Sequence, residues 1–437
     1  LTATLSSIRA AGLEPVGAYS SADEFRRSKG YTICQVDDVK IALVSFTKGV
    51  GSLGLPVGSE DCVNLLYEDY YTTYQTINKK AIRDILRSAE AEKPDTVDPY
   101  EIGYVVITDY VQPNTGEDVS AGIQRAIDEN PQKTIYFPDG EYLLANPIAT
   151  SGNPANAVAL KLSNFAILKA MPGWNHTEAM VRLGGAEAYN NIHLPGSNYY
   201  LEGGCIDGSM VATGVSIDSG RETAIRNLSI KRTQIGIHIK HGANSGSSDA
   251  DIDTVNIVGN AMPDSIGVLI DGYDNTLTNM RIAAIEVGIK LRSGGNCLRN
   301  IHPLFIYGYE YSEDDINFED SIAFLEEVSG TNWYDYCYSD QMATGYKLIP
   351  GSKAIIVNAF IMWYSPRGNK EVGFQCDGDF NASITNPKIH FRGDTTNNAV
   401  LVLPEGAGGH GFIDNPVIDD NLVTDKTYKK FVTGRII

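Results

Sequence analysis

The sequence predicts an all-β chain from about residue 103 onward, a right-handed single-stranded parallel β-helix with an N-terminal capping helix, preceded by a small α/β segment. Three observations predict it. First, a short pattern recurs between Thr213 and Ile301 as Gly214-Val-Ser-Ile217, Gly236-Ile-His-Ile239, Gly267-Val-Leu-Ile270 and Gly288-Ile-Lys-Leu291, each with the alternation of a β-strand. A second strand-like run follows each one, and the pattern returns at Gly345-Tyr-Lys-Leu348 and Gly373-Phe-Gln-Cys376. Second, these glycines are 22, 31, 21, 57 and 28 residues apart in turn, too irregular for helical repeats but natural for coils whose turns absorb insertions. Third, Asn227, Asn279, Asn300, Asn358, Asn386 and Asn415 recur at one point of the repeat, with Thr254 once in their place. Stacked coils would line these side chains into an internal amide ladder that satisfies the turns, which makes them scaffold.

Composition narrows the function. With 437 residues, 43% of them hydrophobic and 20% charged, the chain has room for a long solenoid and a smaller folded unit. A net charge of -19 argues against a nucleic-acid partner, since phosphate binding needs a basic face. Six Cys without a C-x-x-C indicate neither zinc nor a disulfide framework, and Cys205, Cys297 and Cys376 read as buried thiols in or beside strands. No apolar run is long enough to span a membrane. No export signal is visible, and the start at Leu1 rather than Met suggests a chain truncated upstream.

Residues 1–95 read as α/β. Thr2 to Ala11 is a helix pattern closed by Gly12, two strands over 31–36 and 39–46 join at Asp37-Asp38, and Tyr70 to Ala91 is a helix. The runs Leu5-Ser-Ser-Ile-Arg-Ala-Ala-Gly-Leu13, Val16-Gly-Ala-Tyr19, Val39-Lys-Ile-Ala-Leu-Val-Ser-Phe-Thr47 and Val63-Asn-Leu-Leu-Tyr67 resemble the CapA family of poly-gamma-glutamate capsule biosynthesis proteins. That resemblance implies a metallophosphoesterase-like fold. The metal-binding motifs of that family have no counterpart here, because the first His of the chain is His176. The segment is thus expected to be an incomplete one without metal ligands, followed by a Pro-containing linker at 96–102 and the β-helix at 103–437.

Asp118-Val-Ser-Ala-Gly-Ile-Gln-Arg-Ala-Ile-Asp128 is an amphipathic helix pattern, followed by a buried strand at Thr134-Ile-Tyr-Phe137, a tight turn at Asp139-Gly140 and a return strand. A helix laid over the first coil would cover its open strand edges. This run, with Leu201-Glu-Gly-Gly-Cys-Ile-Asp-Gly208, resembles the pectate lyase superfamily and the polygalacturonase-related, pectin-lyase-like β-helices over about residues 103–420. The resemblance implies the fold and a carbohydrate substrate, and it allows a homotrimer with sites between subunits. Of the polygalacturonase-like motifs, Asp314-Asp315 and Gly409-His410-Gly411 occur in order, while N-T-D and R-I-K are absent. His410 reads equally well as part of a glycine-rich turn.

The chemistry is expected in the oversized interval from Gly288 to Gly345, which exceeds one coil by roughly 30 residues on the spacing of its neighbours. Between Arg299 and Lys347 there is no Lys or Arg, yet there are ten carboxylates interleaved with aromatic residues. Rings stack on sugars and carboxyls bond hydroxyls or exchange protons, so Asp314, Asp315, Glu310 and Asp335 are the catalytic candidates. Tyr307, Tyr311, Trp333 and Tyr336 are the substrate-binding ones. An acidic solvated loop with tyrosines packed on the solenoid wall accounts for the same composition.

These residues point to a carbohydrate-active enzyme, foremost a glycoside hydrolase, acting on a polysaccharide or oligosaccharide in a groove of the helix and needing no cofactor. A polysaccharide lyase would instead place a base such as Lys240 or Arg292 beside Ca2+ held by Asp249, Asp251 and Asp253, whose alternation puts them on one face of a strand. A non-catalytic glycan-binding or adhesive β-helix of tailspike or cell-surface type is the reading from a different class. All three fit a secreted or cell-surface, bacterial-like setting. His238 and His241 read as surface histidines.

Overall fold

The computed structural model describes residues 2–13, 15–36, 39–46, 64, 77, 79–91, 103–185, 199–219, 221–240, 248–307, 314–364, 368–392 and 397–436. The chain divides into two compact units, Leu1–Ile102 and Gly103–Ile437. In the first, helix Thr2–Ala10 is followed by Gly12 at φ +77°, the left-handed turn that its missing Cβ permits. A second helix, Ala22–Ser28, was not legible in the sequence; Ser21 caps it by accepting a hydrogen bond from the Glu24 amide at 3.2 Å. Strands Thr32–Val36 and Val39–Leu43 pair antiparallel, as the hairpin signal at Asp37-Asp38 implies, although those two residues lie outside the described ones. Helix Lys79–Ala91 is the described part of the one expected over 70–91.

The second unit is a parallel β-helix. Each coil supplies a first and a second strand to a 22-stranded sheet and a third to a ten-stranded one, with parallel registered pairing from coil to coil. Its core is built of vertical stacks. Ile225, Ile252, Leu277, Leu298, Tyr334, Ile356, Ile384 and Ile413 follow one another in register on the first strands, all buried. On the third strands the rings of Phe324, Tyr346 and Phe374 stack at 4.7 and 5.3 Å, close to the spacing between neighbouring strands. Among the described residues no helix is long and apolar enough to cross a membrane.

Helix Ser120–Glu129 closes the N-terminal end of the solenoid. It buries Ile123 and Ile127, and the side-chain amide of Gln124 bonds both the N–H and the C=O of Ala149, at 2.8 and 2.9 Å. Ala149 lies on Ile148–Ala149, the end strand of the ten-stranded sheet. The glutamine therefore occupies that edge as a further strand would.

The repeat glycines do not make turns, and three expectations are corrected after them. None of Gly214, Gly236, Gly267, Gly288, Gly345 and Gly373 has a positive φ; each sits where backbones of successive coils approach. A methyl group on Gly267 would stand 2.5 Å from the Gly288 carbonyl oxygen, and one on Gly236 2.6 Å from that of Gly267. Gly267→Ala is accordingly expected to cost about 1–3 kcal/mol in urea unfolding, as overpacking does. Gly408→Ala, with nothing within 4 Å, should be nearly neutral. Equal effects would contradict the close-approach account.

The 57-residue interval is not one swollen coil. Ile322–Glu326 is an additional third strand, paired with Val287–Leu291 on one side and Thr344–Leu348 on the other, and Ala323 stands where its neighbours carry glycine. Of the chain between the second strand and this third one, residues 305–307 and 314–321 are described, and Ile316 and Phe318 among them are buried.

The recurrent Asn do not form an internal ladder. Asn227, Asn279, Asn300, Asn358, Asn386 and Asn415, with Thr254, all adopt φ between 47° and 56°, and sit at the corner between first and second strands, at or near the surface. Asn is selected there because it tolerates the left-handed region. The buried ladder is a different one: Asn275, Asn296 and Asn332, at 0–1% exposure, joined by amide bonds of 2.9 and 3.0 Å. Of the described thiols, Cys376 is buried, but Cys297 is exposed and Cys205 half-buried; Cys337 is fully buried.

Candidate functional site

The corner row has one anomaly. Tyr336 occupies the position that Asn or Thr holds in the coils on either side, with φ +53°, and its amide donates to Val357 O at 3.0 Å just as that of Asn358 does to Thr385 O at 2.9 Å. A bulky residue in this region is strained. It is also 62% exposed, so packing does not repay that strain. Strain held without a packing return is characteristic of sites kept for function.

Around Tyr336 lies a shallow groove of about 590 Å3 that crosses four coils. Thr278 and Asn279 come from one, Arg299 and Asn300 from the next, Asp335 and Tyr336 from the third and Asn358 from the fourth. Arg299 Nε stands 3.5 Å from Asp335 Oδ2, with both side chains well exposed. Asn300 donates to Asn279 Oδ1 at 2.9 Å. Behind them Asp253 accepts from Thr278 Oγ1 at 2.5 Å and Asn279 Nδ2 at 2.8 Å. The hydroxyl of Thr278, then the Asn279 amide, hold its carboxyl below the ordinary carboxylate range. Trp333, 43% exposed, faces the same side as Asp335. An aromatic platform, planar amides and a guanidinium–carboxylate pair are the groups that bind a polyhydroxylated ring.

The residues singled out in the sequence fall into two groups. Asp335 and Tyr336 come together at the corner, and Trp333 begins the strand that leads to it. Asp314 and Asp315 lie in the connection at 305–321, and Tyr307 packs edge-on against Phe305 at its start. A second strand separates corner from connection, so Asp335 and the Asp314-Asp315 pair flank opposite ends of a coil face. Glu310 and Tyr311 lie outside the described residues.

The charged residues named for a lyase are engaged in ion pairs and hydrogen bonds. Asp249 pairs with Arg221 at 2.5 Å and precedes the strand at φ +43°, Asp251 pairs with Arg226, and Asp253 is held as above. Lys240 bonds Asp218 at 3.0 Å, and Arg292 bonds Glu327 at 3.0 Å. His238 contacts Asp271 at 2.6 Å. His410 is exposed in a glycine-rich turn, its amide donating to Asn381 Oδ1 at 3.1 Å. His241 lies outside the described residues.

Three titratable features were missed. His302 Nε2 lies 3.2 Å from Asp340 Oδ2, and its ring stacks on Tyr338 at 4.0 Å. Glu286 is half-buried, and desolvation, with Asp264 and Asp320 adding, raises its pKa. Glu326 is fully buried, with its Oε1 accepting from Tyr334 OH at 2.8 Å and Asn332 Nδ2 at 3.1 Å and its Oε2 from Ser352 Oγ. Burial raises its pKa. Glu326 gives no apolar-pattern signal because it ends a strand at a position where neighbouring coils carry Leu291 and Leu348.

No protein-family model matches the chain, and no curated protein does. The CapA resemblance of residues 1–95 therefore gains no support. Solved structures are similar to it in chain path. A tailspike protein mutant of E. coli bacteriophage HK620, in complex with a pentasaccharide, is 12% identical with a TM-score of 0.48, covering 75% of this chain and 68% of that one. The ORF18 protein of Geobacillus virus E2 is 12% identical with a TM-score of 0.47, covering 89% and 68%. PfbA, a surface adhesin of Streptococcus pneumoniae, is 13% identical with a TM-score of 0.41, covering 72% and 90%. The unit Gly103–Ile437 is a parallel β-helix. At these identities the likeness extends to the coil architecture alone.

Proposed function

We propose that this β-helix recognises a polysaccharide or oligosaccharide in the corner groove, in an extracellular or cell-surface setting. The observation that carries the reading is Tyr336, an exposed aromatic ring held at energetic cost in a left-handed corner position, within a groove of amides and the Arg299–Asp335 pair. Hydrolysis there would need a protonated carboxyl beside an ionised one, and Asp335 is the single carboxyl among the residues lining the groove. Recognition without cleavage is thus the form of carbohydrate activity that the groove's chemistry supports. The test is a panel of neutral and acidic polysaccharides, scored for binding by calorimetry and for products by reducing ends and by absorbance of new double bonds. Binding without products is expected. New reducing ends would shift the reading to hydrolysis, with Glu286 the first carboxyl to substitute, and absence of any binding would remove the glycan reading.

A further inference from the structure

We infer that the recognition surface turns the corner and continues along the outer face of the second strands, accommodating an extended oligosaccharide that runs from Tyr336 to Tyr364. The inference rests on the corner groove being a glycan site, and adds its extent and the minimum size of its occupant. Two residues past the corner, the rings of His302, Tyr338 and Phe360 form a stacked column, with centroids 4.0 and 4.8 Å apart and planes within 18° of each other. The Lys388 ammonium stands 5.1 Å from the Phe360 centroid and continues the column. Asp340 holds the imidazole of His302 in place from the neighbouring coil.

Along the strand the alternation is strict. Ile361 and Trp363 are buried, whereas Phe360, Met362 and Tyr364 face outward, and Tyr364 is 61% exposed. The strand Phe360–Met362 ends two residues before Tyr364, and at the rise of extended chain Tyr364 is at most roughly 13 Å beyond Phe360. The Tyr338 hydroxyl bonds Met362 Sδ of the next coil at 2.7 Å; burial, then Asp340, raises its pKa, with Tyr364 and Tyr336 adding.

An exposed ring thus stands at each end of a strip whose middle is formed by the half-buried rings of His302, Tyr338 and Phe360, with the corner amides beside Tyr336. Each unit of an oligosaccharide presents an apolar face and a rim of hydroxyls, and a chain of several units matches this alternation of rings and polar groups. A single sugar could reach one end only.

The test uses size-graded oligosaccharides, disaccharide to decasaccharide, prepared from dextran, xyloglucan, polygalacturonate and alginate. They are titrated calorimetrically into the full chain and into Tyr336→Ala, Tyr364→Ala and Phe165→Ala variants, with sedimentation of each. Phe165 is an exposed ring in a distant coil and serves as control. Affinity of the unsubstituted chain should rise with length and level off once a fragment spans both rings. Tyr364→Ala should lose about tenfold for the long fragments, the effect of one lost stacking contact, and nothing for the short ones. Tyr336→Ala should weaken both, and Phe165→Ala neither. Long fragments bound equally by Tyr364→Ala and the unsubstituted chain would overturn the inference while leaving the corner site standing. A changed oligomeric state in Tyr364→Ala would also overturn it, by making that ring a contact between copies. Failure of every fragment to bind the unsubstituted chain would remove the glycan reading itself.

Discussion

Asn296→Ala should be among the most damaging single substitutions in the solenoid, costing about 3–5 kcal/mol, because it strands buried polar groups on both sides of it. Its Oδ1 accepts from the side-chain and backbone nitrogens of Asn275 at 2.9 and 3.1 Å. Its Nδ2 donates to Asn332 Oδ1 and to Ser293 O, both at 3.0 Å. Removing the amide leaves Asn275 donors facing a cavity that water cannot readily fill from an interior at 0% exposure. Asn279→Ala in the same region, at an exposed corner, should cost only about 1 kcal/mol, the backbone penalty of a left-handed Ala. Urea denaturation of the two variants separates the ladders; a similar loss in both would place the stability in the corners instead.

The second large effect is a pH dependence. Glu326 is bonded by the uncharged groups of Asn332, Tyr334 and Ser352 in its buried cluster, and its register neighbours are Leu291 and Leu348. Desolvation raises its folded pKa above the ordinary 4.5, while the unfolded chain titrates near that ordinary value. Between the two values the folded state binds more protons than the unfolded one, so stability falls as pH rises. Its contribution is fully present below 4.5 and is lost as pH climbs through the folded value. Glu326→Gln keeps the shape and, like the protonated acid, presents one carbonyl acceptor and a donor, but cannot ionise. The difference in unfolding free energy between the variant and the unsubstituted chain should therefore grow in favour of the variant with rising pH. A difference independent of pH would show that Glu326 is ionised in the fold.

Much of this architecture was legible because a solenoid repeats its requirements. Six glycines and six asparagines at matching points reveal coils, but their reasons depend on three-dimensional neighbours. A strand glycine selected by close approach of the next coil looks the same in sequence as one selected by a turn. Ala323 stands in register where the neighbouring coils carry glycine, which concealed a whole coil and made the chain between Gly288 and Gly345 look like one insertion. The corner did leave a local trace. Ile225 and Leu228 are both buried though three residues apart, as are Leu277 and Met280, and that break in period-2 alternation marks the bend at Asn227 and Asn279.

The acidic, aromatic stretch was visible as composition, yet its two parts diverge because a second strand runs between Asp335 and the connection carrying Asp314 and Asp315. The importance of Tyr336 could not be read from residue type alone. It depends on φ, on exposure, and on what the equivalent positions hold.

The central claim is that Tyr336 is retained for a ligand at the expense of the fold, and Tyr336→Asn tests it most directly in one paired measurement of melting temperature and polysaccharide binding. Asn matches the equivalent positions and relieves about 1–2 kcal/mol of left-handed strain, so the midpoint should rise by about 1–3 °C for a unit of this size. Binding to the panel polysaccharides should fall at least tenfold, the loss of one stacking platform. A more stable variant that binds less is the predicted result; a variant that binds as well as the original, or one that melts lower, would contradict it.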